Sequence, residues 1–409
     1  MKLRAPAIIG IVILVVGVIV IVAIQLFGWG RGADTPRGAT VTGVVGSEKM
    51  AFFQDARVQE VFAEHGLRVE VSSSGSWRMA ELADLNTKDF AFPASEVAAA
   101  NIRTKVAGSI AMHQPFFSPM AIATFEPIMQ LLQAAGVASK DASGTWILDM
   151  AAYLDLVAQD TRWNELPGAA ATYNSPRSVL ITSTDIRSSN SASQYLALAA
   201  YAASGNNVIT SRAQADALLP QLSRLFLAQG YAGASSAAPF DDYLSQGMSA
   251  VPMVMMYEGQ FMEEELKENS RIRENMVLAY PSPTIFSKHS GVTFTENGER
   301  VMELLATDPD LAELLAEHGF RPTGTHSGVF AEVLETHGLA GSYLATDAMV
   351  NLASEPSYEV MDYLLGRISA EYDLATGGGA PLETTEAPSP EPSETTPETP
   401  TPTPSEDAP

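Results

Sequence analysis

From residue 40 to about residue 376, short β-rich runs alternate with segments whose apolar positions recur at helical spacing. Residues 40–45, Thr-Val-Thr-Gly-Val-Val, predict a strand that Gly46-Ser47 ends. A helix over 48–65 follows, with Phe52, Phe53, Val58, Val61 and Phe62 on its apolar side and Gly66 as its stop. Residues 67–72 alternate as a second strand, and Ser73-Ser74-Gly75-Ser76 opens a helix through Leu85. Residues 89–92 form a third short strand, and Ser95 caps a helix through Ile102. This β-α-β-α rhythm predicts an open parallel sheet with helices on both faces.

The rhythm then changes. Residues 120–124 predict a strand and 125–135 a helix. A helical stretch over 147–160, a strand over 179–182 and a helix over 193–203 come next, and a buried strand rich in Val and Met over 251–257 closes the region. After a charged helix over 263–273, residues 277–285 read as a returning strand. Helices over 296–306 and 311–318 follow, and 325–375 read as a mostly helical extension. No sequence repeat of fixed period runs through the chain.

Both ends depart from this pattern. Ala7 to Phe27 carries no charge over 21 residues, and Gln25 is its one strongly polar side chain. At the helical rise that run spans roughly 30 Å, the thickness of a bilayer's hydrocarbon core. It is longer than a secretory signal's apolar region and is followed by Trp29, a residue suited to the interface, which favours an uncleaved anchor over the alternative of a cleaved signal. Lys2 and Arg4 precede it while Arg31 and Arg37 follow it, so flanking charge orients it only weakly; a short cytoplasmic stub is the simpler reading, and the expected location is a single-pass cell-membrane protein with an extracellular body. From about residue 377 the chain is Pro, Thr, Ser and Glu with seven acidic and no basic residues, a composition that predicts disorder: a spacer, a glycosylated stalk or a solvating tail.

Charge and cysteine content narrow the chemistry. The net charge is −24, and removing the tail's seven acids leaves −17, which argues against nucleic acid as a partner. The absence of cysteine excludes disulfides, thiolate metal sites, a Cys nucleophile and a lipidated N-terminal Cys. The six histidines show no His-Glu-x-x-His, and there is no Gly-x-Ser-x-Gly elbow and no phosphate-cradling Gly-x-x-x-x-Gly-Lys loop. The sequence therefore predicts no enzyme, no metal site and no cofactor.

One polar feature recurs. Gly46-Ser47, Ser73-Ser74-Gly75-Ser76, Ser95 and Ser188-Ser189-Asn190-Ser191 each stand where a strand gives way to a helix. Helix N-termini beyond strand ends offer unpaired N–H groups, and Ser or Gly lets a ligand come close. Ser, Asn and Gly are also the ordinary helix caps, so each cluster alone has a purely structural reading.

The arrangement resembles the bacterial extracellular solute-binding proteins of the type 2 periplasmic-binding superfamily, especially the phosphate- and molybdate-binding branch. Arg187-Ser188-Ser189-Asn190-Ser191-Ala192-Ser193 is similar to the phosphate binders' Arg-x-x-x-Ser-Gly-Thr, with Ala192 and Ser193 in place of Gly and Thr. Asp89-Phe90 through Ser95-Glu96 resembles their Asp-Phe…Ser-Asp segment, with Glu96 in place of Asp. Ser73 to Ser76 resembles their loop after the second strand, Gln114-Pro115 through Thr124 their crossover, and Tyr280-Pro281-Ser282-Pro283-Thr284 a late strand of the first domain.

The resemblance implies an α/β fold of two lobes joined by two crossover strands, near 118–124 and 254–258, with the ligand between the lobes. The expected divisions are an anchor and linker over 1–39, lobe 1 over 40–120, lobe 2 over 121–258, the rest of lobe 1 with its helical extension over 259–376, and the tail over 377–409. On this reading Ser47, Ser74, Gly75, Ser76 and Ser95 supply donors from the first lobe, Ser118 stands at the crossover, and Ser188, Asn190 and Ser191 supply donors from the second. Arg187 either pairs bidentately with an anion or bonds to nearby Asp185, and Tyr257 either lines the cleft or is structural. The implied function is capture of a small polar solute, an oxyanion among the candidates, for a membrane permease or for sensing. The alternative keeps the fold without the ligand, as a scaffold or sensor in an envelope complex.

Overall fold

A computed structural model of the protein describes residues 38–376 apart from Tyr231 and Ala234. The expected anchor over 7–27 and the tail from 377 lie outside the described residues; among the latter no helix is long and apolar enough to cross a membrane.

The strands are β1 (Ala39–Val45), β2 (Leu67–Ser73), β3 (Phe90–Phe92), β4 (Met112–Phe125), β5 (Ala138–Lys140), β6 (Trp146–Asp149), β7 (Met253–Tyr257), β8 (Met276–Ser282), β9 (Thr284–Thr293), β10 (Arg321–Pro322) and β11 (Leu352–Ala353). The helices are α1 (Met50–Gln54), α2 (Ala56–Glu64), α3 (Glu96–Lys105), α4 (Glu126–Ala134), α5 (Met150–Ala158), α6 (Ala169–Thr172), α7 (Asn190–Ala203), α8 (Arg212–Leu227), α9 (Ala237–Gln246), α10 (Glu258–Glu265), α11 (Glu296–Thr307), α12 (Pro309–Glu317), α13 (Val329–Thr336) and α14 (Tyr358–Thr376).

The strands join in the order β2-β1-β3-β9-β4-β8-β6-β5, with β7 and β10 also on β4 and β11 on β9. The order divides at β4. Its first half, through Pro119, pairs with β9, and its second half, from Met120, pairs with β7 and β8. The sheet is mixed, not parallel as the rhythm predicts: β1, β2 and β3 run parallel, but β9 enters antiparallel to both β3 and β4. Strand direction between segments some two hundred residues apart is set by tertiary pairing, which a local period of two does not encode.

Alternation along the first strands sorts two cores. Val41, Val45, Phe90 and Phe92 face α1, α2, α11 and α12 through Phe52, Phe53, Phe62, Val301 and Leu315. Val44 and Ala91 face the opposite side, against Ala99 and Ile102 of α3. Gly43 on β1 is required, because a Cβ there would sit 2.2 Å from the Phe90 ring. Past β4, helices α4, α5, α7 and α8 share the largest core, and α7 is buried on nearly every residue, as its Ala, Ser and Leu composition permits. The C-terminal α14 packs chiefly on α8 and also reaches α3 and α7, burying Met361, Leu364 and Ile368.

Several local expectations are corrected. The helix expected over 48–65 breaks at Asp55, whose extended backbone and carboxylate, accepting the Arg57 N–H at 2.8 Å, start α2 afresh. Residues 76–85 form turns around Met79–Glu81, not a helix running to Leu85. The stretch over 147–160 begins as β6, and Asp149 caps α5 by accepting the Ala151 and Ala152 N–H groups. Residues 179–182 contribute a single bridge, Thr182 to Val254, instead of a strand. The charged helix is earlier and shorter, with Arg271 folding back to Glu264 at 2.8 Å. The returning strand is two strands, β8 and β9, on either side of a cis Ser282–Pro283 bond.

Candidate ligand-binding cleft

Parallel pairing of β1 with β2 sets Val45 opposite Ser73, and pairing with β3 sets it opposite Phe92. The turns that follow β1 and β2 therefore leave the same sheet edge side by side, tied by the Ser74 N–H to the Val45 carbonyl at 2.9 Å. Facing them is the entry to α7, where the Ser188 and Ser189 amides donate to the Asp185 carbonyl. The Asp185 N–H in turn donates to the Gly233 carbonyl at 2.9 Å, which brings the turn before α9 alongside.

These turns enclose a cleft of about 210 Å³. Its walls are Gly46-Ser47-Glu48 after β1, Ser73-Ser74-Gly75-Ser76 after β2, Ser188-Ser189-Asn190 at the start of α7, Ser235-Ser236 before α9, and Tyr257 at the end of β7. The two sides approach closely: a Cβ on Gly75 would lie 2.6 Å from the Ser188 carbonyl oxygen.

Asn190 is the pivotal polar group. It is 6% exposed, and its side-chain amide donates from Nδ2 to the Ala94 carbonyl at 3.3 Å and to the Tyr257 hydroxyl at 3.1 Å. A carbonyl only accepts, so this contact fixes which way the amide faces. Among the described residues, Oδ1 and the Ser188 hydroxyl are thereby left buried without a partner. The first turn of α7 begins at Asn190, and its N–H groups have no partner within the helix.

Charge beneath the cleft is arranged around Lys49, which is fully buried. Its ammonium donates to the Glu48 carboxylate, meets His289 Nδ1 at 2.9 Å and lies 4.9 Å from the centre of the Phe92 ring. Burial lowers the Lys49 pKa, with Glu48 working against it, and burial together with Lys49 holds His289 well below its ordinary value, so the imidazole is neutral. Burial, with Glu48 adding to it, raises the Tyr257 phenol well above its ordinary value. Glu48 is the one charged side chain in the wall among the described residues, and no Lys or Arg lines it. Such a wall can hold and orient a small solute through Ser hydroxyls, backbone groups and the Glu48 carboxylate.

Of the residues singled out from the sequence, Ser47, Ser74, Gly75, Ser76, Ser188, Asn190 and Tyr257 line this cleft. Ser95, Ser118, Ser191 and Arg187 do not. Ser95 is fully buried, caps α3 by accepting the Ala98 N–H at 3.1 Å and donates to Glu355 at 2.9 Å. Ser118 is buried against the start of α10, and Ser191 bonds to the Thr184 and Ser189 hydroxyls at 2.7 and 3.0 Å. Arg187 turns away to Asp185 and to Asp373 of α14 at 2.7 Å, the second of which is invisible to local spacing. Sequence reasoning missed Glu48 and Ser235-Ser236. The Ser pair had a signal, since it too precedes a helix, whereas nothing local distinguishes Glu48 from an ordinary first-turn acid.

No family model matches the chain and no curated protein sequence matches it. Solved structures do share its fold. The ferric binding protein from Campylobacter jejuni superposes with a TM-score of 0.50 at 9% identity, over 82% of this chain and 99% of that one. The apo ferric ion-binding protein A of Pasteurella haemolytica gives 0.50 at 12% identity, over 85% and 99%. The periplasmic binding protein AfuA from Actinobacillus pleuropneumoniae, solved with fructose-6-phosphate bound, gives 0.50 at 9% identity, over 83% and 98%. The chain therefore has the fold of periplasmic binding proteins, an α/β architecture.

Proposed function

We propose that the protein is a membrane-tethered, extracellular solute-binding protein that captures a small polar ligand without chemistry, for transport or sensing. The observation that carries this reading is the convergence of separate Ser-rich turns, from the ends of β1 and β2 and the starts of α7 and α9, on one cleft. Neighbours in fold, a ferric binding protein and a periplasmic binding protein solved with fructose-6-phosphate bound, support capture as the class of activity. The apolar run over 7–27 supports a tether, and a body with the binding-protein fold supports its placement outside. On this reading the cleft corresponds to the ligand site between lobes divided near 118–124 and 254–258.

The wall favours a ligand that brings hydrogen-bond donors. Glu48 accepts, and a fully ionised oxyanion would face its carboxylate with lone pairs and no cation in the described wall to offset its charge. A neutral or zwitterionic solute, or an oxyanion that keeps a proton, can donate to Glu48 and bond to the wall's hydroxyls.

Thermal unfolding of the full chain in detergent, against a panel of oxyanions, amino acids and sugars, tests the proposal. Saturable stabilisation by one class, weakened by Asn190→Leu and Ser74→Val, is the expected result. Absence of any shift, with a membrane protein co-purifying, would favour the alternative of a scaffold or sensor in an envelope complex. Deleting residues 1–37 is expected to move the protein from the membrane fraction to the soluble one.

A further inference from the structure

The residues that flank the cleft on its two sides are both held by one helix. Trp77, directly after Ser76, stacks its indole on the Tyr358 ring at 4.7 Å with the planes 9° apart. Its indole N–H also points at Asp362, at 3.5 Å, and the Lys105 ammonium covers the same Tyr358 ring at 5.0 Å. On the other side Arg187, directly before Ser188, donates to Asp373 at 2.7 Å and lies 4.6 Å from the centre of the Tyr372 ring. Tyr358, Asp362, Tyr372 and Asp373 all belong to α14.

The geometry points to α14 as a latch: we propose that this helix holds the two walls of the cleft together and that the cleft opens when it releases one of them. A helix is a rigid rod, and positions 358 and 373 lie roughly 22 Å apart along it, so it cannot stretch to follow separating walls. Separation must break either the Trp77–Tyr358 stack or the Arg187 contacts. The segment leading into α14 adds a third attachment, because Glu355 accepts the Ser95 hydroxyl at 2.9 Å. On the α8 side Tyr363 and Arg367 bond to Asp216 at 2.7 and 2.8 Å, so loss of the wall contacts leaves the helix docked there. The walls meet at Gly75 and Ser188, and β4, which pairs with β9 in its first half and with β7 and β8 in its second, gives the motion a pivot.

The chain lacks cysteine, so Glu60→Cys on α2 and Asp155→Cys on α5, both exposed, accept spin labels uniquely. Pulsed electron–electron resonance on the full chain in detergent is expected to give one short distance. Adding Tyr358→Ala with Asp373→Asn is expected to raise the ratio of a second, longer distance by roughly tenfold, as loss of an aromatic stack and a half-buried ion pair allows. Tyr363→Phe with Arg367→Gln, which touch neither wall, serve as controls and leave the distribution unchanged. Should the stack-and-pair variant keep a native amide-exchange pattern elsewhere and the same single distance, α14 is no latch. If the double variant fails to fold, Asp373→Asn alone carries the same test. The distances need no ligand, so this outcome stands apart from the thermal-shift test of solute capture, on which the choice of this cleft rests.

Discussion

The guanidinium of Arg321 and the carboxylate of Glu258 form a two-point pair in the interior, Nε to Oε2 at 2.8 Å and Nη2 to Oε1 at 2.7 Å. Arg321 is 3% exposed and Glu258 fully buried. The Tyr280 hydroxyl also donates to Glu258, and the arginine's remaining donors reach the Leu344 carbonyl and the Thr346 hydroxyl, each at 2.7 Å. The pair therefore joins β10, the start of α10, β8 and the loop before α14 at one point. Glu258→Ala would leave a buried guanidinium without its counter-charge, a loss of about 3–5 kcal/mol. Urea unfolding of the variant should show a midpoint shift of that size, and a change under 1 kcal/mol would contradict the account.

The contact between the two sides of the cleft gives a second expectation. Because a Cβ on Gly75 would stand 2.6 Å from the Ser188 carbonyl oxygen, Gly75→Ala must push the walls apart. Backbone on both sides leaves no flexible side chain to yield, so the expected destabilisation is about 1–3 kcal/mol. The spin-label distance described above should lengthen in this variant, and ligand-induced stabilisation should fall.

His318 predicts a dependence of stability on pH. Burial disfavours its charged form, but Glu263 and Asp55, the latter at 3.1 Å, outweigh it and hold the imidazole above its ordinary pKa. A raised folded pKa means that this contribution is complete below the unfolded value of about 6.5 and is lost as pH rises through the folded one. Stability should therefore decline over that window above pH about 6.5, and His318→Gln should flatten the decline. An unchanged slope in the variant would remove His318 from the explanation.

Glu355 behaves in the opposite chemical sense with the same sign. Burial raises its carboxyl pKa, although Gln194 and Ser95 pull it down. The unfolded carboxyl ionises near pH 4.3 while the folded one resists, so stability is lost as pH rises from about 4.3 through the folded pKa. Glu355→Gln is neutral at every pH and accepts from Ser95 as the acid does. Its melting temperature should exceed the parent's above that window and match it at about pH 4.

Aromatic packing sets the last expectation. Phe116 of β4 lies 5.3 Å from the Phe92 ring, 4.7 Å from Phe320 and 4.9 Å from His289, fully buried where β9 and β10 flank β4. Phe116→Ala should cost about 3–5 kcal/mol, read from the same urea midpoint.

The sequence by itself determined the elements with strong local signals. Residues 40–45, 67–72 and 89–92 fold as the β1, β2 and β3 that their pattern predicts, and Ser95 caps α3 through the Ala98 N–H. It also marked most of the cleft, because Ser and Gly between strand and helix serve backbone geometry that is local: Ser47, Ser74–Ser76, Ser188 and Asn190 reach the wall in this way. What only the tertiary structure decided depends on partners far along the chain. The entry of β9 beside β3 makes the sheet mixed; Asp373 draws Arg187 away from the cleft; Glu355 takes the Ser95 hydroxyl; and Lys49 meets both Glu48 and the neutral His289 beneath the cleft. A residue's spacing reveals its neighbours within a turn or a strand pair, but a side chain's hydrogen bonds go to whatever group the folded chain brings within about 3 Å.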